Sequence, residues 1–346
     1  MRTQTGMKTP LIAITLAAAC SGNAHAQSVT LYGAVDAGLI KRTGSATAIG
    51  KRDANTLGVK GSEELGAGLK ALFHLEMRYE PDTGTQESVV RPMFQGQSRV
   101  GLAGPFGTLR IGRGVTAYME AMTAFEPFHG IPSPAGFYTD VAVAGYTTQP
   151  LDAGGNSFNR ISNAVWYNTP EWGGFQVNVT LASREANNGP AIVGRGTTAI
   201  PQYGPGAQAS ANPYSVSATY KRGPLGAMVG VERNGIESDV WSLAAFYKPV
   251  TPLKLMAIYG RQDRAHTMAA NAGTRAWVLG ANYVVGGGTF LVGYGRKEPD
   301  GAVATRQTSI GYEYPLSKRT FLYADASRKR AASAVNHVDL GIRATF

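Results

Sequence analysis

The carboxyl-terminal stretch Val335-Asn336-His337-Val338-Asp339-Leu340-Gly341-Ile342-Arg343-Ala344-Thr345-Phe346 decides how the chain is read. Val338, Leu340, Ile342, Ala344 and Phe346 are apolar, and Asp339, Gly341, Arg343 and Thr345 between them are small or polar. A period of two describes an extended strand with one oily and one wet face. A soluble sandwich can bury such a face, but chain ends usually fray into water, and this one ends on an aromatic residue. In a membrane barrel the oily face meets lipid and Phe346 sits near the interface.

Working outward, the same alternation returns. Leu69, Ala71, Phe73, Leu75 and Met77 interleave with Lys70, Leu72, His74, Glu76 and Arg78, and Phe175, Val177, Val179 and Leu181 with Gln176, Asn178 and Thr180. Leu31, Val35 and Leu39 share one face of Val29 to Ile40, opposite Tyr32, Asp36 and Gly38. Further strands are expected at Leu57 to Gly61, Phe94 to Leu102, Thr108 to Arg113 and Ser162 to Asn168, with Ser62 to Gly68 as a tight turn. After Asn212 come Pro213 to Lys221, Leu225 to Arg233, Asp239 to Lys248, Leu253 to Asp263, Arg275 to Val285, Thr289 to Arg296, Ala304 to Tyr314, Thr320 to Arg328 and the terminal strand. The pattern predicts sixteen strands and no helix-period segment of useful length. An even number puts both termini on one side, and closure leaves no edge unpaired in lipid. A barrel this wide encloses water, whereas a small one is filled by side chains.

Short Gly/Pro turns alternate with longer polar connections, as in an outer-membrane barrel with tight periplasmic turns and extended external loops. Val115 to Arg160 and Glu185 to Asn212 are the longest, and connections of such length are usually functional. Tyr220, Tyr247, Tyr259, Tyr283, Tyr294, Tyr312 and Tyr314 fall at or near strand ends. That suits either a ring at the headgroup layer or simply a good strand residue.

Composition sets the bounds. The chain has 346 residues, 44 of them Gly, and is 43% hydrophobic. No stretch after the leader nears the run of about 20 apolar residues that a membrane helix needs. Residues 1–26 read as a signal peptide: Arg2 and Lys8, an apolar Leu11 to Ala19, and Ala24-His25-Ala26 as cleavage site. Residues 27–346 form the single barrel domain. Met7 is an alternative start. Cys20 offers a lipoprotein cut as an alternative, although the usual Leu three positions upstream is missing. Cleavage after Ala26 leaves no cysteine, so stability must come from sheet closure and burial. The net charge of +10 becomes +8 without Arg2 and Lys8. Its basic residues are scattered, which with export argues against nucleic acid. The one dense run, Arg328-Lys329-Arg330, reads as a strand end facing an acidic lipid headgroup layer.

These segments together resemble a known family, the general diffusion porins of Gram-negative bacteria, of beta-proteobacterial and neisserial type. The carriers are Val29 to Gly38, Gly58 to Ala71 (GVKGSEELGAGLKA), Val100-Gly101-Leu102, Phe106 to Arg113 (FGTLRIGR), Tyr312 to Lys318 and the terminal Phe346. The resemblance spans essentially the whole mature chain. It implies an all-β, 16-stranded antiparallel transmembrane β-barrel, a homotrimer, a third external loop folded inward, and Phe346 as part of an assembly signal read by the outer-membrane assembly machinery. It further implies contact with outer-membrane lipid and lipopolysaccharide, flatter faces near the termini as trimer contacts, and no cofactor. The chain also departs from the pattern. Thr56 and Gly96 stand where members have arginines, Arg99 where they show an aromatic, and Trp166 replaces the arginine of a Val-Arg-Tyr segment. Family selectivity therefore does not carry over intact.

No catalytic constellation stands out. His74, His129, His266 and His337 lack metal-ligand spacing, and no Gly-x-Ser-x-Gly occurs. What remains is an electrostatic filter. Strand parity turns Lys70, His74, Glu76, Arg78, Arg110 and Arg343 to the lumen, with Arg99 joining them and Lys41 or Arg42 near the outer mouth. Glu120, Glu126 and Asp140 lie in the third loop. The expectation is a constriction with a basic wall of Arg78, Arg99, Arg110, Arg113 and Lys70 facing those three carboxylates. His74, Glu76, Trp166 and Arg343 line the pore nearby, Trp166 either stacking on a ring-bearing solute or filling space. The basic surplus predicts a modest preference for anions. The reading is a passive, non-enzymatic channel for small hydrophilic solutes and inorganic ions in the outer membrane. Its rivals are a solute-specific porin, an adhesin or enzyme acting through the long loops, and a secreted β-sandwich.

Overall fold

Alternation along the sequence becomes, strand by strand, a sheet with two unlike faces. The computed structural model describes residues 27–88, 91–150, 157–184, 191–193, 200–202, 211–263 and 273–346. The leader with Cys20, His266 and most of the stretch from Glu185 to Asn212 lie outside the described residues. Sixteen long strands follow in order: β1 (Ser28–Arg42), β2 (Asn55–Gly66), β3 (Leu69–Tyr79), β4 (Gln97–Gly104), β5 (Gly107–Val115), β6 (Arg160–Asn168), β7 (Phe175–Ala182) and β8 (Tyr214–Arg222). The second half comprises β9 (Leu225–Arg233), β10 (Asp239–Val250), β11 (Leu253–Asp263), β12 (Gly273–Val285), β13 (Gly288–Pro299), β14 (Thr305–Pro315), β15 (Thr320–Arg330) and β16 (Ala334–Thr345). Each pairs antiparallel with its chain neighbour, and β16 closes on β1 with Leu39 opposite Leu340. Closure removes the free edge that an open sheet would expose. A three-residue strand, Ala48–Gly50, pairs beside Gly38 to Ile40.

Burial is inverted relative to a water-soluble protein. Leu31 and Leu340 are 61% and 57% exposed, while Asp36 and Asp339 on the opposite face are 0% and 1% exposed. Water would not tolerate that outer belt, whereas acyl chains would. The tyrosines separate into two rows. Tyr247, Tyr283 and Tyr314 are exposed near the tight turns, with Tyr220 and Tyr312 packed on Phe175 and Phe290. Tyr259 and Tyr294 stand toward the other end, against Trp241 and Trp277 with ring centroids 5.6 and 5.4 Å apart. The six steps from Trp241 to Tyr247 span roughly 20 Å along the strand at about 3.4 Å per residue.

Two local expectations are corrected. Ser62 to Gly66 continue β2, and the turn is Ala67-Gly68, both at positive φ (50° and 77°). A run of Ser, Glu and Gly has turn composition, but Glu64 pairs across the strands with Lys70 at 2.5 Å, so the ladder extends past it. The connection between β5 and β6 is also not without structure. Its first turn is a helix, α1 (Ala117–Met122), which a six-residue run is too short to announce by periodicity.

That connection carries its own apolar cluster. Met119, Met122, Phe125, Phe128, Phe137, Val141 and Tyr146 are all buried, packing with Met228, Ile258, Val278 and Leu291 of the sheet. The segment touches polar-face side chains of β8 to β16. Tyr118 N–H donates to Ser215 Oγ (2.8 Å), Asn282 donates to Pro127 O (2.8 Å), and Gln307 to Gly136 O (2.9 Å). Ser327 donates to Pro134 O (3.0 Å), and Ser133 to Asp339 (2.9 Å). Room for this contact comes from bare backbone. A Cβ at Gly280 would stand 2.4 Å from Pro127, and one at Gly293 2.4 Å from Phe137.

Candidate functional site

Lumen-facing charge gathers on β3 to β6. Arg99 and His74 are opposite one another across β4 and β3, and Gly101 faces Arg110 across β4 and β5. The Arg99 guanidinium lies 5.6 Å over the Trp166 ring, and Arg110 Nη2 is 4.0 Å from Glu120 of α1 and bonded to Asn168. Arg78 stands 3.7 Å from Glu76. Arg113 donates to Gln95 O (3.1 Å) and Ser162 Oγ (2.7 Å). The buried N–H groups of Arg78 Nε, Arg99 Nη1 and Arg110 Nε meet no protein acceptor among the described residues. A cavity of about 320 Å³ opens beside them, lined by Lys60, His74, Arg99, Arg110, Ser28 and Thr30 among others.

Of the three loop carboxylates, only Glu120, half exposed, reaches these arginines. Glu126 is fully buried and accepts backbone N–H groups from Phe128 (2.9 Å), Gly130 (2.7 Å) and Phe137 (2.9 Å). Burial pushes its carboxyl up to about 7, against those three bonds, so it staples the segment to itself. Asp140 lies on the far side, bonded to both Lys297 and Lys329. Burial alone would raise it, but the two ammonium groups hold it below the usual carboxylate range.

Other expected residues are dispersed. Lys70 is at the tight-turn rim with Glu64, far from the arginine group. Arg343 pairs with Asp53, and Lys41 reaches Ser45 O (2.8 Å) near the long-loop end. His74 and Glu76 share the Tyr32 hydroxyl, at 2.5 and 3.0 Å. Trp166 is 1% exposed and donates to Val115 O (2.8 Å), so its ring fills the wall under Arg99 and is closed to a passing solute. Phe346 exchanges backbone bonds with Gly33 (both 3.1 Å), and its ring covers that glycine, where a Cβ would sit 2.4 Å from Cζ.

Sequence reasoning missed several charged groups. Arg160 opens β6, is 8% exposed, and donates to Gly96 O (2.8 Å) and Asn159 (2.8 Å). With Arg78, Arg91 and Arg113 it lines a small polar pocket against Ser157 and Asn159. At Gly96 an added Cβ would meet the Glu76 carboxylate at 2.1 Å, so a side chain there requires Glu76 to move. Arg52 is 2% exposed and lies 5.1 Å over Tyr323, bridging Asp325 (2.5 Å) and Glu313 (2.6 Å). It is aimed by Asp36, which accepts the Arg52 N–H (2.9 Å) and the Tyr323 hydroxyl (2.7 Å). Parity could have turned Asp325 and Glu313 to the lumen, but no pattern predicts that a loop arginine enters to meet them.

The chemistry is that of a charged passage. Ser133, His337 and Asp339 do come together, yet both contacts fall on His337 Nε2 (3.4 and 2.8 Å), and Nδ1 is buried without a partner. A relay needs the two ring nitrogens to serve different partners, and in this arrangement the three side chains instead tie the connection to β16. Among the described residues no group of three His, Cys, Asp or Glu could hold a metal.

Comparison with known proteins agrees with this geometry. A family described as Gram-negative porin matches residues 13–333. Outer membrane porin protein 32 of Delftia acidovorans is 30% identical over 338 residues, covering 92% of this chain and 88% of that protein. An outer membrane porin protein of Bordetella pertussis is 25% identical, covering 93% of this chain and 94% of that one. Among solved structures, an anion-selective porin from Comamonas acidovorans superposes with a TM-score of 0.75 at 24% identity, over 93% of this chain and all of that one. A closed barrel, oily outside and charged within, thus belongs to the Gram-negative porin family and sits in the outer membrane.

Proposed function

We propose that this porin passes small hydrophilic solutes and inorganic ions by diffusion with a modest preference for anions, and performs no enzymatic chemistry. In this reading residues 116–150 fold into the lumen along β8 to β16, and the open passage runs between them and β1 to β6. The constriction then has Arg78, Arg99, Arg110 and Arg113 on its wall and Glu120 opposite. Glu126 and Asp140 hold the loop in place instead of facing the stream. The observation that carries this is, among the described residues, the group of unaccepted guanidinium N–H bonds on β3 to β5 against a single loop carboxylate. Such a field raises the local concentration of anions. The buried Trp166 ring speaks against one of the two supports for a solute-specific channel, the other being the altered arginines.

The mature chain, after loss of residues 1–26, assembles as a homotrimer with Phe346 as part of its assembly signal. Reversal potentials across a planar bilayer in a KCl gradient test the selectivity, and a cation preference would overturn it. Conductance falling in three equal sublevels tests the trimer, and single-step closure would refute that state.

A further inference from the structure

We infer that a closed pocket at the foot of the third connection holds a resident monatomic anion, a halide of chloride size, bound inside the protein as part of its structure. The pocket is the one lined by Arg78, Arg91, Arg113 and Arg160 with Gln95 and Asn159. Four segments meet there: the end of β3 at Arg78, the connection from β3 to β4 at Arg91 and Gln95, β5 at Arg113, and the return of the third connection into β6 at Asn159 and Arg160. Gln95, Arg113 and Arg160 are 2%, 7% and 8% exposed. Four guanidinium groups thus share a space of about 30 Å³, and no Asp or Glu stands among its described lining residues. Two carboxylates outside the lining are engaged elsewhere as well. Glu76 stands 3.7 Å from Arg78 and takes the Tyr32 hydroxyl (3.0 Å), and Glu87 stands 3.7 Å from Arg91 and takes Lys51 Nζ (2.7 Å). Buried charges are as a rule paired, so four cations against two shared carboxylates leave positive charge unanswered.

A second observation marks the missing group as an acceptor. Gln95 Nε2 and Arg78 Nε are buried donors that meet no protein acceptor among the described residues, and both belong to residues lining the pocket. A water could accept those two bonds but would leave the charge standing, whereas an anion answers both. Size and donor geometry select the kind of anion. The space admits about one or two water-sized groups, too little for an organic acid. A tetrahedral oxyanion is best gripped by the paired N–H edges of guanidinium groups. Here such edges are committed to protein oxygens. Arg160 gives Nε to Gly96 O and Nη1 to Asn159 Oδ1 (both 2.8 Å), and Arg113 gives Nε to Gln95 O (3.1 Å) and Nη1 to Ser162 Oγ (2.7 Å). Single donors from several sides suit a point charge. The site also joins two loops: Thr116 N–H donates to Asn159 O (3.2 Å), so both ends of the third connection meet beside the pocket, and Gln95 brings in the connection before it. Such a site needs no flow of ions and stands apart from the proposed function. By masking Arg78 and Arg113, its anion leaves the field in the passage chiefly to Arg99 and Arg110.

The test uses the whole barrel in detergent. Crystals grown with bromide in place of chloride are measured at the bromine absorption edge. In parallel, the thermal midpoint of heat-modified gel mobility is followed as chloride replaces gluconate at fixed ionic strength. An anomalous peak should lie in the pocket, against Arg78 Nε and Gln95 Nε2. The midpoint should rise with chloride and level off, as binding to the folded state alone requires. Gln95→Glu puts a carboxylate where the anion sits. It should remove the bromide peak and cut the chloride-dependent rise by at least about fivefold, with a midpoint in gluconate equal to that of wild type in saturating chloride. Gln95→Leu deletes the donor and supplies no charge, so it should weaken the chloride response without that rescue. Water alone in the pocket, equal wild-type midpoints in chloride and gluconate, or a Gln95→Glu protein that keeps its chloride response would overturn the inference. The two wild-type measurements decide the matter even where a variant fails to fold. A channel without anion preference would instead defeat the selectivity reading and leave the bromide result standing.

Discussion

Glu120 offers the sharpest handle on selectivity, because among the described residues it is the one carboxylate of the third connection that meets the basic wall. Its oxygen lies 4.0 Å from Arg110 and it is half exposed, so the pair is solvated and weakly coupled. What matters is the field on an ion in transit. An ion about 8 Å from the carboxylate in water feels roughly 0.5 kcal/mol, and screening at about 0.1 M salt reduces this to roughly 0.2 kcal/mol. Replacement by Gln removes that repulsion for an anion and the equal attraction for a cation. The permeability ratio of chloride to potassium should therefore rise about 5-fold at low salt and about 2-fold at 0.1 M. Arg99→Gln or Arg110→Gln should lower it by similar factors, since each removes one charge of the opposite sign from the same passage. Reversal potentials at two ionic strengths measure both the sign and the salt dependence. If Glu120→Gln leaves the ratio unchanged while Arg110→Gln shifts it, the carboxylate does not face the ion path. If neither shifts it, the placement of the stream along β3 to β6 is refuted.

Three further substitutions probe what holds the passage open. Glu126 has a folded value of about 7, above its ordinary 4.5, so the protonated form favours the fold; that contribution is complete below about 4.5 and is lost as pH rises through about 7. Protease access to residues 116–159 should thus increase from pH 6 to pH 8 in the wild type. In Glu126→Gln it should be pH-independent from a higher baseline, because one of three backbone donors goes unmet at a cost of about 1 to 3 kcal/mol; an identical pH profile in the variant would refute the assignment. Arg52→Met strands Asp325 and Glu313 without their cation and should destabilise the barrel by about 3 to 5 kcal/mol, read as a lower midpoint in heat-modified gel mobility; restoring the midpoint with Asp325→Asn added would confirm that the loss is electrostatic. Gly33→Val should clash with the Phe346 ring and loosen the β1 to β16 seam, so that less folded barrel reaches the outer membrane while β3 to β6 contacts are untouched.

Barrel architecture was legible because it repeats. Every strand tests the same period of two, so an error at one segment, such as the Ser62 to Gly68 turn, leaves the count unchanged. Parity likewise placed His74, Glu76, Arg78 and Arg110 on the inner face, since facing is a local property of a strand. Partners are not local. Glu126 and Asp140 have the composition of pore carboxylates, yet one is consumed by backbone amides of its own loop and the other by Lys297 and Lys329, more than 150 residues away in sequence.

The same distinction accounts for the arginines. At position 96 any side chain would have to displace the Glu76 carboxylate, and a guanidinium reaches the Gly96 carbonyl from Arg160. The position expected at 166 holds an indole that Arg99 covers from the neighbouring strand side. In this chain the charge near the wall is thus carried by Arg99 and Arg160, on β4 and β6. A selective pore requires a field of a given sign at a given height, and that field is a sum over side chains from several strands. Reading single positions misses that sum, because it is set by which side chains the closed barrel brings to one height. Glu120→Gln measures one contribution to that sum, and Arg99→Gln and Arg110→Gln measure two of opposite sign.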